Sequence, residues 1–179
     1  MTQRKAFLTK EQSLMLRGIA IFLVLISHYA VWIGEIFHSD LLEYGLGRFG
    51  VYGVDLFFVV SGYGLVKSVG KKRINGTFLW KRFKTVYLPY LLIVGLIAVY
   101  DGGISGMTGW VSFLTGAEYW YIRNILIFYL AFYVVYRLSD RSWVRMLLMA
   151  LCLTAYSGLL IWQGRALFWY ISNVTFLFG

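Results

Sequence analysis

Residues 14–33 read LMLRGIAIFLVLISHYAVWI. Within these twenty residues the only cation is Arg17 and the only imidazole is His28. A helix that crosses a hydrocarbon core of about 30 Å needs roughly 20 mostly apolar residues. The stretch therefore reads as a transmembrane helix. It is too long for a secretory signal and no small-residue cleavage site follows it, so no cleavable signal peptide is expected.

Outward from this helix the pattern repeats. Further apolar segments cover residues 51–66, 83–100, 119–136 and 143–162. A sixth begins near Ala166 and reaches Gly179, roughly 14 residues and too few to span unaided. The chain is thus expected to be truncated at the C-terminus, residues 1–179 forming one transmembrane domain. Composition agrees: 60% of the 179 residues are hydrophobic, 20% aromatic and 14% charged, against roughly 45–50% apolar and about 25% charged in an average soluble domain. The lone cysteine, Cys152, excludes an internal disulfide framework and a cysteine-based zinc site. The expected fold class is all-α, a polytopic transmembrane helical bundle of five to six spans.

The net charge of +9 is distributed as in a membrane protein rather than a nucleic-acid binder. Lys67, Lys71, Lys72, Arg73, Lys81, Arg82 and Lys84 form a block with no acid among them. With Arg4, Lys5, Lys10 and Arg17 before the first span and Arg137, Arg141 and Arg145 after the fourth, 14 of the 17 basic residues fall on one side. Glu35, Asp40, Glu43, Asp101 and Glu118 fall on the other. Excess Lys and Arg mark cytoplasmic loops, so the N-terminus is expected to be cytoplasmic. Trp32, Trp80, Trp110, Trp120, Trp143 and Trp162 lie near expected span ends, as interfacial aromatics do. Asn75-Gly-Thr77 and Asn173-Val-Thr175 match the glycosylation pattern, but the first falls on the cytoplasmic side and the second in a membrane segment, so both are read as chance.

Ionisable residues inside a span are costly and are functional candidates by default. Three stand out: His28, Asp55 and Arg123. Counted from the span starts at 1.5 Å per residue, His28 lies roughly 21 Å in from the cytoplasmic side, and Asp55 and Arg123 roughly 6 Å in from the other. All three are expected in the outer third. Arg17 precedes His28 by 11 residues, three turns plus about 20°, so both project from one helix face roughly 16 Å apart. A cation at the cytoplasmic mouth and a titratable base at depth suit an anionic donor. Structural readings remain open beside this: Arg17 as a snorkelling anchor, His28 as a hydrogen-bonded interior histidine, and Asp55 with Arg123 as an ion pair between helices. The cation block is open to a reading as topology signal and lipid contact alone.

The stretch from Leu16, LRGIAIFLVLISHYAVW, resembles the opening helix of the acyltransferase-3 family, with Arg, ten intervening residues and His. Residues 52–64, YGVDLFFVVSGYG, resemble its second signature, matched at Gly53, Val54, Asp55, Phe57, Phe58, Ser61 and Gly62. WKRFKTVYLPYLL at 80–92 and YWYIRNILIFY at 119–129 resemble a basic segment before a Tyr-Pro helix start and a Trp-rich region. There are two departures. Arg82 fills the first position of an Arg-x-x-Arg element, but Thr85 stands at the second, with Lys81 and Lys84 as a shifted basic pair. Family members also carry roughly twice this number of spans.

The resemblance implies an integral membrane acyltransferase, transferring groups other than aminoacyl groups. It moves an acyl group, most often acetyl, from acetyl-CoA or another acyl-CoA co-substrate to a hydroxyl of a cell-surface carbohydrate or lipid-linked glycan. The implied location is the cell membrane. His28 would act as general base and Asp55, if paired with it, as orienter of the imidazole. Arg17, Arg82 and Lys84 would contact the polyanionic donor, while Ser61 and Arg123 would line the site. No bound cofactor, metal site or nucleic-acid partner is expected: the two histidines, His28 and His38, have no cysteine cluster beside them. The competing readings are a transporter or flippase and a non-catalytic truncated remnant.

Overall fold

The computed structural model describes residues 7–69, 74–100, 102–117 and 119–178. Arg4, Lys5, Lys71, Lys72, Arg73, Asp101 and Glu118, read above as loop charges, lie outside the described residues. The chain is all-α, with no strand among the described residues. Five helical segments are long and apolar enough to cross a membrane: Lys10–Phe37, Leu41–Val69, Gly76–Tyr100, Trp120–Leu138 and Ser142–Trp162. They carry the five expected spans. Two compact units are formed, Met1–Ser68 with Val174–Gly179, and Val69–Asn173.

The first unit is built on α1 (Lys10–Phe37) and α2 (Phe49–Val69). Thr9 caps α1: its side chain accepts from the Gln12 N–H while the Gln12 side chain accepts from the Thr9 N–H. That reciprocal box satisfies two otherwise orphaned donors. Ile19, Phe22, Leu25 and Trp32 stand exposed on α1, the apolar surface expected of a helix bathed in hydrocarbon. A π-helical turn (Leu41–Gly45) and a 3-10 turn (Leu46–Arg48) lead directly into α2.

Small residues let α1 and α2 meet backbone to backbone. Ser27 donates its hydroxyl hydrogen to the Gly47 carbonyl. A methyl on Gly53 would lie 2.7 Å from the Ala20 carbonyl oxygen and 2.9 Å from Val24 Cγ2. Such approach is how helices associate where lipid removes the hydrophobic drive between them. Because the first obstacle is backbone, relief needs a helix shift. Gly53→Ala is expected to cost about 1–3 kcal/mol and to lower the apparent Tm in detergent by roughly 3–8 °C. An unchanged thermal transition would show that this contact yields freely. At the far end of α2, the Tyr63 hydroxyl accepts from the Leu8 N–H at 3.0 Å and donates to the Leu8 carbonyl at 3.1 Å, pinning the segment before α1.

The second unit contains α3 (Gly76–Arg82), α4 (Leu88–Tyr100), α5 (Gly106–Thr115), α6 (Trp120–Leu138), α7 (Ser142–Trp162) and α8 (Phe168–Thr175) as far as Asn173. A π-helical turn, Phe83–Tyr87, joins α3 to α4. It sits just ahead of Pro89, the chain's one proline, whose ring clashes with the carbonyl four residues back and which donates no hydrogen bond. Widening the turn relieves that clash. This span therefore begins at Gly76 rather than at residue 83, and Lys81, Arg82 and Lys84 are helical rather than loop residues. The reason is the aromatic interleaving. Arg82 lies over Phe78 at 5.5 Å and Lys84 over Trp80 at 5.0 Å, so the cations cover ring faces while the backbone keeps its helical bonds.

Helix α5 falls where a plain loop was expected. Gly102, Gly103 and Gly106 take positive φ before and at its start, and Gly116 (φ 65°) ends it. Its last turn is held by tyrosines: Tyr90 donates to the Phe113 carbonyl at 2.6 Å and Tyr87 to the Leu114 carbonyl. Helix α8 has eight residues.

Candidate active site

The candidate residues fall into both units, and each group is described within its own. In the first unit, α1 is one unbroken α-helix through Arg17 and His28, so the eleven-residue spacing keeps both on one face about 16 Å apart. His28 is exposed and has no hydrogen bond or ion pair among the described residues. The guanidinium of Arg17 reaches to Gly64, with Nη2 3.5 Å from where a Cβ would stand. Gly64 thus leaves room beside the arginine. Ser61 is half-buried one turn earlier on α2.

Asp55 does not join His28. The antiparallel contacts Gly34 with Glu43, Gly47 with Val31, Gly50 with Ser27 and Gly53 with Ala20 and Val24 fix the register of α1 on α2. In that register His28 is level with Phe49, and Asp55 with Phe22, roughly 9 Å apart along the axis. Asp55 also lies two residues past Gly53, about 200° around α2, and leaves it on the side away from α1. The layer shared by His28 and Asp55 that span starts implied is therefore not formed. The second helical segment begins at Leu41 rather than residue 51.

In the second unit, Arg82 closes α3 with its guanidinium over Phe78 and, at 5.7 Å, over Tyr129 of α6. Its Nε is buried without a hydrogen-bond partner among the described residues. Lys84, on the following turn, is exposed. Thr85, standing where a second arginine would complete the basic element, donates its hydroxyl hydrogen to the Lys81 carbonyl at 2.7 Å. It reinforces the helix and leaves Lys81, Arg82 and Lys84 as the cations there. Arg123, in the first turn of α6, lies 5.9 Å from the centre of the Trp169 ring.

One buried feature was not legible from motifs. Asn124 is fully buried and donates to the Trp169 carbonyl at 2.8 Å and to Asn173 Oδ1 at 2.9 Å. It accepts from the Tyr156 hydroxyl at 2.8 Å, and Asn173 donates to Ser157 Oγ at 3.0 Å. Asn173, the second glycosylation-pattern asparagine, is thus wholly buried and engaged. Among the described residues no three His, Cys, Asp or Glu side chains cluster as metal ligands would.

Five apolar spans carrying ionisable residues define a polytopic membrane protein. The acyltransferase-3 profile, described as an acyltransferase domain, matches residues 15–179. The chain belongs to that family. It is also similar to "Protein 2 in picA locus" of Rhizobium radiobacter, 33% identical over 90 residues. That alignment covers 48% of this chain and 42% of the relative, so the chain spans less than half the length of the curated relative it matches. No solved structure matches the chain.

Proposed function

We propose that the chain transfers an acyl group, acetyl in the simplest case, from acyl-CoA to a hydroxyl of a cell-surface carbohydrate. The proposed setting is the plasma membrane, with the N-terminus cytoplasmic. The observation that carries this reading is the Arg17–His28 face of α1. A membrane-spanning helix there presents an imidazole that is exposed and unengaged, three turns from a cation. An exposed imidazole in a membrane-spanning helix supports a chemical role, since an ionisable group in a span is otherwise selected against by its cost.

In this mechanism His28 takes the proton of the acceptor hydroxyl as its oxygen attacks the thioester carbonyl carbon. The new C–O ester bond forms, the C–S bond breaks, and the coenzyme A thiolate leaves and is protonated. Arg17 draws the anionic donor toward this face. Arg82 and Lys84 hold donor phosphates, Arg82 being pre-oriented by its two aromatic rings, which lowers the ordering cost of each phosphate contact. Ser61 lines the acceptor path. Asp55 acts apart from the imidazole, as a polar anchor on the other face of α2.

The test is transfer of labelled acetyl from acetyl-CoA to cell-envelope material in membranes containing the chain. Incorporation above that of membranes lacking it supports the proposal; no incorporation from a well-inserted chain overturns it. Arg82→Gln and Lys84→Ala are each expected to raise KM for the acyl-CoA about tenfold with kcat little changed, the signature of lost ground-state binding. An unchanged KM in both variants would remove these cations from the donor site.

A further inference from the structure

Within the second unit, Phe83, Tyr87, Leu114, Arg123, Leu126 and Ile127 line a cavity of about 590 Å³. Its size falls in the roughly 300–1,000 Å³ range of ligand pockets. The walls are mostly carbon, and the hydroxyls on them are spent. Tyr87 donates to the Leu114 carbonyl, and Thr115, also on the wall, donates to the Val111 carbonyl at 2.7 Å. The Arg123 guanidinium is the charged group at this cavity. It has no ion pair among the described residues, and neither has Arg165. Both lie over one buried ring, that of Trp169, Arg123 at 5.9 Å and Arg165 at 4.8 Å from its centre. Neither cation over this indole is paired with an acid among the described residues, so each is open to an anionic partner.

We propose that this cavity binds an anionic lipid, with its acidic headgroup held by Arg123 and Arg165 and one acyl chain among Phe83, Leu114, Leu126 and Ile127. A small soluble anion would satisfy the cations but leave the apolar volume unfilled. An uncharged chain would fill the volume but leave the cations unpaired. A lipid carrying net negative charge does both, and the elements involved belong to membrane-spanning segments or border them. The assignment does not depend on acyl transfer.

The experiment uses the full chain reconstituted in phosphatidylcholine vesicles doped with a phosphatidylglycerol that carries a photoactivatable group in its acyl chain. The comparison is the same group on phosphatidylcholine. Phosphatidylglycerol is expected to label the peptide containing residues 114–127 about fivefold more strongly. Arg123→Gln and Arg165→Gln are each expected to bring labelling down to the phosphatidylcholine level. Arg165 is exposed, so its variant tests the proposal even if Arg123→Gln fails to fold. Equal labelling by the two lipids, or undiminished labelling in Arg165→Gln, overturns it. Displacement of the label by millimolar coenzyme A or inorganic phosphate also overturns it, by making the site one for a soluble anion.

Discussion

His28→Ala is expected to lower acyl transfer by about 10²–10⁴-fold, the usual contribution of a positioned general base. Insertion and thermal stability should stay at wild-type levels. The imidazole is exposed and makes no hydrogen bond among the described residues, so its removal opens no cavity and orphans no partner. Alanine is also the strongest helix former, which preserves α1 locally. Initial rates from labelled acetyl-CoA, normalised to membrane-inserted chain, supply the measurement. A near-wild-type rate in the alanine variant would exclude His28 as the base. A loss of inserted chain would instead make it structural, and His28→Gln separates the cases by keeping polarity and bulk without a titratable nitrogen.

The helices were legible because the physics that inserts them is written in run length. Long apolar runs are hard to disguise, and the five read from the sequence appear as five span-length helices. Their starts were less legible where charge and glycine interrupt the run. Glu43, Gly45, Gly47, Arg48 and Gly50 obscured a helical segment that begins at Leu41. Likewise Lys81, Arg82 and Lys84 read as loop cations until the rings of Phe78 and Trp80 beneath them were seen. Helix α5 has only ten residues and is bounded by positive-φ glycines, too short for a periodic pattern to declare itself.

For the site, sequence spacing located Arg17 and His28 on a common face because both sit on one uninterrupted helix, where angle follows from arithmetic. Pairing between helices does not follow that way. Whether Asp55 meets His28 depends on the register set by Ser27, Gly50 and Gly53, which spacing along either helix does not reveal. The same limit hid the partners of Asn124. An asparagine inside an apolar segment signals a hydrogen bond somewhere, but its acceptors lie 45 and 49 residues away.

Asn124→Leu is therefore expected to be strongly destabilising, by about 2–5 kcal/mol. Three partners lose their bond at once: the Tyr156 hydroxyl, the Trp169 carbonyl and the Asn173 amide oxygen. Leaving a buried polar group unsatisfied costs about 1–3 kcal/mol, while interhelical hydrogen bonds measured in membranes average nearer 0.6 kcal/mol. Three such losses together bracket the figure. The apparent Tm in detergent should fall by roughly 5–15 °C. A cycle with Tyr156→Phe should show less-than-additive loss, since both remove the same bond. Full additivity, or an unmoved transition, would show that the network does not hold α6, α7 and α8 together. The consequence reaches past stability. The Trp169 carbonyl is held by Asn124, and the ring of that same residue carries Arg123 and Arg165. Fixing the backbone beneath the indole fixes the ring over which each cation lies. A second variant, Asn124→Asp, keeps the acceptor for Tyr156 but loses the donated bonds and sets a buried carboxyl against the Trp169 and Asn173 oxygens, so it is expected to destabilise at least as much. It should weaken anionic-lipid labelling while the Tyr156 bond persists, linking the buried amide to the charged mouth of the cavity.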